Sequence, residues 1–235
     1  MIQYNILSTG SRGNAVVINS NILIDCGVPF RMLADHYKSL RLVLLTHLHG
    51  DHFNKSCIRA LARERPTLRF GCGRWLIESL LQCGVPAANI DHLAYGQQYK
   101  YGSFQVIPFP LIHNVPNQGY KVHFGDGNKM IYATDTNSLH GISAPDYDLY
   151  LIEANHEEDV IKERIAQKHA DGQYAYEEQA AHNHLSKEKA DTFLYENRGE
   201  KGVYEYLHCH QDREGSDGLH GEDNRLQGRP TRGAA

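Results

Sequence analysis

Between Leu42 and His52 the chain reads Leu-Val-Leu-Leu-Thr-His-Leu-His-Gly-Asp-His, an apolar run that breaks into His47, His49, Asp51 and His52. Imidazole and carboxylate together suit zinc or a similar first-row metal. Residues two apart on a strand face the same side, so His47 and His49 can grip one ion. A turn at Gly50 then carries Asp51 and His52 toward a second. Further ligands are expected where other apolar segments end: His113 after Pro108-Phe109-Pro110-Leu111-Ile112, Asp135 after Met130-Ile131-Tyr132-Ala133-Thr134, and His208 after Val203-Tyr204-Glu205-Tyr206-Leu207. At such positions polar groups protrude from the edge of a sheet.

The elements that must position these residues alternate between strand and helix. Short strands are predicted over about 3–7, 15–18 and 21–24, with Ser/Gly/Asn turns between them. Residues 29–40 read as a helix, and 41–45 as the buried strand that feeds the histidines. A helix over 55–65 should stop at Pro66, followed by a strand near 68–71 and a helix over 73–83 ended by Gly84 and Pro86. Strands are predicted over 104–108, 120–124, 130–133, 149–152 and 203–207. Helices are predicted over 155–167 and 186–196, the second opening on Ser186-x-x-Lys189. The alternation implies a layered α/β class.

At 235 residues, with 41% hydrophobic content, the chain can form one domain that buries roughly 70% of its unfolded surface. That domain is expected over 1–210. From Gln211 onward the Gly-, Asp-, Arg- and Pro-rich sequence predicts a disordered tail over 211–235. No stretch approaches the ~20 apolar residues of a membrane span, and the first residues lack a signal-peptide pattern, so a cytoplasmic protein without a membrane partner is expected. The five cysteines (Cys26, Cys57, Cys72, Cys83, Cys209) contain no Cys-x-x-Cys pair, which argues against a disulfide framework and a zinc ribbon. The net charge of −4 does not advertise nucleic-acid binding. Six basic residues between Lys55 and Arg74 (Lys55, Arg59, Arg63, Arg65, Arg69, Arg74), against the single acid Glu64, could either attract phosphates or form an ordinary solvated helix face.

His-x-His-x-Asp-His, with Asp25 before it and His113, Asp135 and His208 after it, resembles the five-motif pattern of the metallo-β-lactamase superfamily. The resemblance spans about residues 1–210 and implies a four-layered αβ/βα sandwich with metals at one edge of two facing sheets. It implies that His47, His49 and His113 hold a first ion, that Asp51, His52 and His208 hold a second, and that Asp135 bridges them. The ions would be two divalent metals, zinc first and manganese as an alternative. Leu151-Ile152-Glu153-Ala154-Asn155 resembles the His-Glu-Ala-Thr motif of the tRNase Z family, with Ile152 in place of its His. His184-Leu185-Ser186 resembles that family's His-Ser-Thr element, whose His pairs with the motif's Glu; Glu153 and His184 would form that dyad.

Ser-x-Gly-Ser-x-Gly-Asn, Asp25-Cys26-Gly27 and His184-Leu185-Ser186 are most similar to the WalJ/YycJ-like group of small metallohydrolases, which is linked to DNA exonuclease activity and has phage-encoded look-alikes. That group carries a second His-Leu-Ser at its last ligand, where this chain has His208-Cys209-His210-Gln211, so either His208 or His210 takes that role. The implied function is a dinuclear phosphodiesterase or nuclease acting on nucleic acid, DNA favoured, with Asp51, Glu153 and His184 in catalysis. A small ester, thioester, lactone or cyclic nucleotide is an alternative substrate for the same centre. A non-catalytic nucleic-acid or protein-binding domain is the reading from another class.

Overall fold

The computed structural model describes residues 1–209. Six strands form a first sheet in sequence order: β1 (Tyr4–Ser8), β2 (Ala15–Ile18), β3 (Ile22–Ile24), β4 (Leu42–Leu45), β5 (Arg69–Cys72) and β6 (Ile90–His92). The first three pair antiparallel and the rest parallel. A second sheet contains β7 (Tyr99–Tyr101), β8 (Phe104–Leu111), β9 (Asn117–Phe124), β10 (Lys129–Ala133), β11 (Leu149–Glu153) and β12 (Val203–Leu207). It is antiparallel through β10 and parallel from β10 to β12.

The period of two in β4 shows how the layers form. Leu42 and Leu44 point into the core between the sheets, with Ile22 and Ile24 on one side and Tyr120, Met130, Tyr132 and Leu151 on the other. Val43 and Leu45 point outward to a second core, shared with Cys57, Ile58 and Leu61 of α1 (Lys55–Glu64) and Leu80 of α2 (Ile77–Gln82). The outer face of the second sheet buries Ile131, Tyr150 and Ile152 against Phe193 and Leu194 of α5 (Lys187–Asn197). Three stacked cores make the αβ/βα sandwich. Among the described residues, no helix is long and apolar enough to cross a membrane.

Both helices that border the site are capped as their sequences allow. Asn54 accepts from the Cys57 N–H at 3.0 Å at the start of α1, and Ser186 accepts from the Lys189 N–H at 3.2 Å at the start of α5.

Several elements differ from expectation. Residues 29–40 do not form an α-helix: a short 3-10 turn over Phe30–Leu33 passes into further turns. The segment buries Leu33 and Leu40 without a continuous apolar stripe, and the Arg65 guanidinium takes the carbonyls of Tyr37, Lys38 and Leu40. α3 runs over Glu158–Ala170, three residues later than predicted. β6, β7 and α4 (Glu177–Asn183) have no counterpart in the sequence reading. Two are three-residue strands and the third, Glu-Glu-Gln-Ala-Ala-His-Asn, carries no apolar period.

Candidate metal centre

Three strands deliver their functional residues through the same backbone device. Asp25 follows β3, Asp135 follows β10 and His208 follows β12, with φ of 60°, 58° and 53°. Residues other than glycine seldom adopt this left-handed region, and when they do the surroundings must hold them there. Asn117 Nδ2 donates to the carbonyls of Thr134 and Asp135, at 3.1 and 2.7 Å. The His208 N–H donates to Thr9 Oγ1 at 2.8 Å, and its carbonyl accepts from Asn155 Nδ2 at 2.9 Å.

The donor atoms converge from five strand ends and two loops. His47, His49 and His113 bring one ligand atom each within 4.8 Å of one another; so do His47, His52 and Asp135, and so do Asp135, Glu153, His184 and His208. Asp135 belongs to two of these groups. Its Oδ2 lies 3.0 Å from His52 Nε2 and 3.1 Å from His208 Nδ1, and its Oδ1 lies 4.0 Å from His113 Nε2. Asp51 is outside the three groups. Its carboxylate touches His52 Nε2 at 3.5 Å and, at 22% exposure, is the most open acid of the cluster. His210 and the predicted tail lie outside the described residues.

His47 and His52, the two fully buried imidazoles, are each oriented by a partner outside the set of clustered donors. Buried Asp25 meets His52 Nδ1 with Oδ2 at 2.7 Å, while its Oδ1 accepts the N–H of Thr46 at 3.0 Å and the Thr46 hydroxyl at 2.9 Å. Tyr132 Oη donates to the same Oδ2 at 3.1 Å. The Thr46 hydroxyl also reaches His47 Nδ1 at 3.0 Å. Orienting partners of this kind fix the tautomer and ring plane of a metal-ligating histidine.

The Gly/Ser loop supplies Asn14, whose Nδ2 reaches His52 Nε2 at 2.8 Å and the Asp51 carbonyl at 3.2 Å. A Cβ on Gly27 would sit 1.6 Å from that carbonyl, so the Asp25-Cys26-Gly27 step needs glycine for the two loops to touch. Asn14, Thr46, Asn117 and Asn155 are positioning residues that the sequence reading misses. The Ser-x-Gly-Ser-x-Gly-Asn motif is the one available signal, and it points to Asn14 only.

Electrostatics and satisfaction both fit a cation. Burial pushes His47 down to about 2, helped by the neighbouring His52, and burial likewise takes His113 down to about 4. These rings are therefore neutral and carry lone pairs near neutral pH. Burial opposes charge on His52 and His208, but Asp135, joined by Asp25 for His52 and Glu153 for His208, pulls both above the usual range. Asp135 is held well below the ordinary carboxylate value, the charges of His52 and His208 outweighing its burial. His47 Nε2 is fully buried with no hydrogen-bond partner among the described residues, although its ring centroid lies 4.2–5.1 Å from those of His49, His52 and His113. A buried lone pair facing other imidazoles needs a donor or a cation. The donor set of imidazoles and carboxylates suits a divalent first-row metal.

Glu153 and His184 come together as the resemblance implies. His184 Nδ1 lies 2.5 Å from Glu153 Oε1 and 3.8 Å from Asp135 Oδ1. Glu153 Oε2 accepts the N–H groups of Thr136 at 2.9 Å and Leu185 at 3.2 Å, so the fully buried carboxylate is pinned. The basic stretch is partly structural: Arg65 binds the 37–40 carbonyls, Arg69 pairs with Asp91, and Arg63 pairs with Glu64.

The sequence matches the family described as "Beta-lactamase superfamily domain" over residues 20–190. No curated protein matches it. Among solved structures, the fold is similar to the metallo-β-lactamase fold protein YhfI from Bacillus subtilis, with TM-score 0.68, 17% identity, and coverage of 88% of this chain and 86% of that one. It is similar to the short form of human tRNase Z (TM-score 0.69, 18% identity, 90% and 93% coverage). It is also similar to a diphosphatase of the PhnP family (TM-score 0.61, 15% identity, 89% and 87% coverage). The matched segment holds every candidate ligand except the last, His208 or its alternative His210, and the two facing sheets are those of the fold: the chain belongs to the metallo-β-lactamase superfamily and is a hydrolase of that fold with His/Asp clusters able to bind metal.

Proposed function

We propose that this protein is a phosphodiester hydrolase acting on nucleic acid, with DNA as the favoured substrate, and that residues 1–210 form its catalytic domain. The observation that carries this reading is the Glu153–His184 pair at 2.5 Å, set against Asp135 at the edge of the ligand cluster. The alkoxide that leaves a phosphodiester gains from a positioned acid, whereas the far less basic thiolate of a thioester does not need one. The tRNase Z and PhnP diphosphatase names among the similar structures also fit phosphate-ester substrates. The free state of Cys26, Cys57, Cys72, Cys83 and Cys209 is consistent with a reducing cytoplasm.

His47, His49 and His113 would hold one ion, and His52, Asp135 and His208, with Asp51 at the open side, a second. Zinc is the first choice and manganese the alternative. Bound divalent metal supplies Lewis acidity and lowers the pKa of water toward ~7. The side chains do the rest. Asp51 is exposed enough to meet solvent and orients the attacking water through its free oxygen. Glu153 binds His184 Nδ1, which leaves Nε2 to give a proton to the departing oxygen. Asp25 and Thr46 keep His52 and His47 from turning away.

The test is incubation of the metal-loaded protein with labelled single- and double-stranded DNA, RNA, bis-p-nitrophenyl phosphate, a thioester and a lactone. Phosphodiester turnover should exceed the other reactions. It should fall roughly 10²–10⁴-fold in His184→Ala, the range of general acid catalysis, and be lost in Asp51→Ala with the fold intact. Full phosphodiester turnover in either variant rules out its assigned role, and preferential thioester or lactone cleavage overturns the substrate class.

A further inference from the structure

The Gly/Ser loop between β1 and β2 folds over one side of the metal centre. Thr9 Oγ1 accepts the His208 N–H at 2.8 Å. A Cβ added to Gly10 would lie 3.9 Å from His208 Cδ2, so the loop backbone runs beside that ring. Asn14, at the end of the loop, reaches Asp51 and His52. His52 and His208 are the two imidazoles of the second ion's ligand set, and their ring centroids are 6.0 Å apart. Among the described residues, no hydrogen bond of the Asn14 side chain goes to His47, His49 or His113. The loop therefore bears on the second ion's position and not on the first's.

Asn14 is 2% exposed, and its amide is held in one orientation. Oδ1 accepts the N–H of Gly10 at 2.9 Å. That turns Nδ2 the other way, where it donates to the carbonyls of Gly10 at 3.1 Å and Asp51 at 3.2 Å. The same nitrogen stands 2.8 Å from His52 Nε2 and 3.5 Å from Asp51 Oδ2, both atoms of the second ion's ligand set. His52 has no other nitrogen to offer a metal, because Nδ1 is taken by Asp25 Oδ2 at 2.7 Å. An amide nitrogen is a donor only. It cannot ligate, and it turns the positive end of its dipole toward any cation bound there. Asn14 and the second ion therefore compete for His52 Nε2.

We propose that Asn14 makes the centre fill in two steps: a first ion binds tightly at His47, His49 and His113, and a second binds more weakly because it must dislodge the Asn14 amide from His52 Nε2. The proposal rests on the two-ion part of the reading above. It makes occupancy of the second position, and with it any reaction that needs two ions, depend on the free metal concentration.

The test is calorimetric titration of the metal-free full chain with zinc chloride, and separately with manganese chloride, with no substrate present. Wild type should bind two equivalents in steps whose dissociation constants differ by about tenfold or more, the scale on which neighbours of a ligand act on metal affinity. Asn14→Asp keeps the size and the acceptor for the Gly10 N–H, and puts a carboxylate oxygen where the donor stood. It should tighten the second step by about tenfold or more and leave the first unchanged. Asn14→Ala removes the amide without adding charge and should tighten the second step by less; it decides the matter if the melting temperature shows that Asn14→Asp does not fold. An Asn14 that only braced the Asp51 loop would weaken the second step in both variants. A second step unchanged or weakened in the folded variants, or two equal steps in wild type, overturns the proposal and leaves the two-ion centre standing. One equivalent bound at every concentration overturns both. Two steps that respond to Asn14 as stated, without turnover of bis-p-nitrophenyl phosphate by the loaded protein, uphold the proposal and sink the phosphodiesterase reading alone.

Discussion

Asp25 touches three groups that matter to the centre and is not itself among the clustered ligand donors: His52 through Nδ1, Thr46 through its N–H and hydroxyl, and Tyr132 through Oη. Replacing one carboxylate oxygen by an amide nitrogen puts a donor where acceptors are wanted and frees the His52 ring to turn. Asp25→Asn should therefore weaken metal binding about 10–100-fold, the usual effect of losing an orienting partner, as read by competition with a chromophoric chelator. Wild-type affinity in that variant would show that His52 is held by something else. Gly27 makes the complementary point about space. The carbonyl of Asp51 occupies the place where a side chain would begin, so Gly27→Ala must push the metal loop away from Asn14. We expect a loss of about 3 kcal/mol or more in denaturant unfolding, in the upper range for single substitutions, together with reduced metal content.

The elements matter through their ends more than their middles. α1 begins soon after His52, and the Asn54 side chain caps it through the Cys57 N–H. Asn54→Ala should cost about 1 kcal/mol, the common value of an N-cap, measured by urea unfolding, with metal affinity barely changed because the side-chain contact of Asn54 is to the helix and not to a ligand. A large loss of metal would mean that the helix start holds the loop in place. β3, β10 and β12 each stop at a left-handed residue, which turns the chain and throws a carboxylate or imidazole across the sheet edge. Alternation along β4 explains why the strand before the histidines is apolar on both faces: Leu42 and Leu44 serve one core, Val43 and Leu45 another.

At the scale of the whole molecule, two sheets and three cores converge on one edge crowded with imidazoles, and a metal ion held there would bind only the folded arrangement. Removing metal should lower the melting temperature, and the shift should grow with metal concentration on adding it back. The metal-free protein should also respond to acid in a defined direction. His113 is held down to about 4 from its ordinary 6.5, burial being the main cause. A depressed imidazole favours the folded state above the unfolded value, and that contribution disappears as pH falls through the folded value. The stability advantage of metal-free wild type over His113→Gln should therefore be full above about 6.5 and shrink toward about 4. An advantage that grows toward low pH would mean that His113 is charged in the folded protein.

The sequence by itself determined the chemistry and most of the strands. His47, His49, Asp51 and His52 are neighbours in the chain, and alternation or short apolar runs are local patterns that survive without tertiary context. The same is true of the strand-end residues His113, Asp135 and His208, once the first motif calls for partners. Only the tertiary structure decided that Asp25 meets His52 and Asp135 meets His208, 27 and 73 residues apart, because no local pattern encodes such pairings; the Glu153–His184 pair, 31 residues apart, was implied by the family resemblance and not by any local pattern. The tertiary structure also decided the turns over 34–40, where Arg65 competes for the carbonyls a helix would use. The short polar helix α4 likewise forms through contact with α3, not through a period of its own.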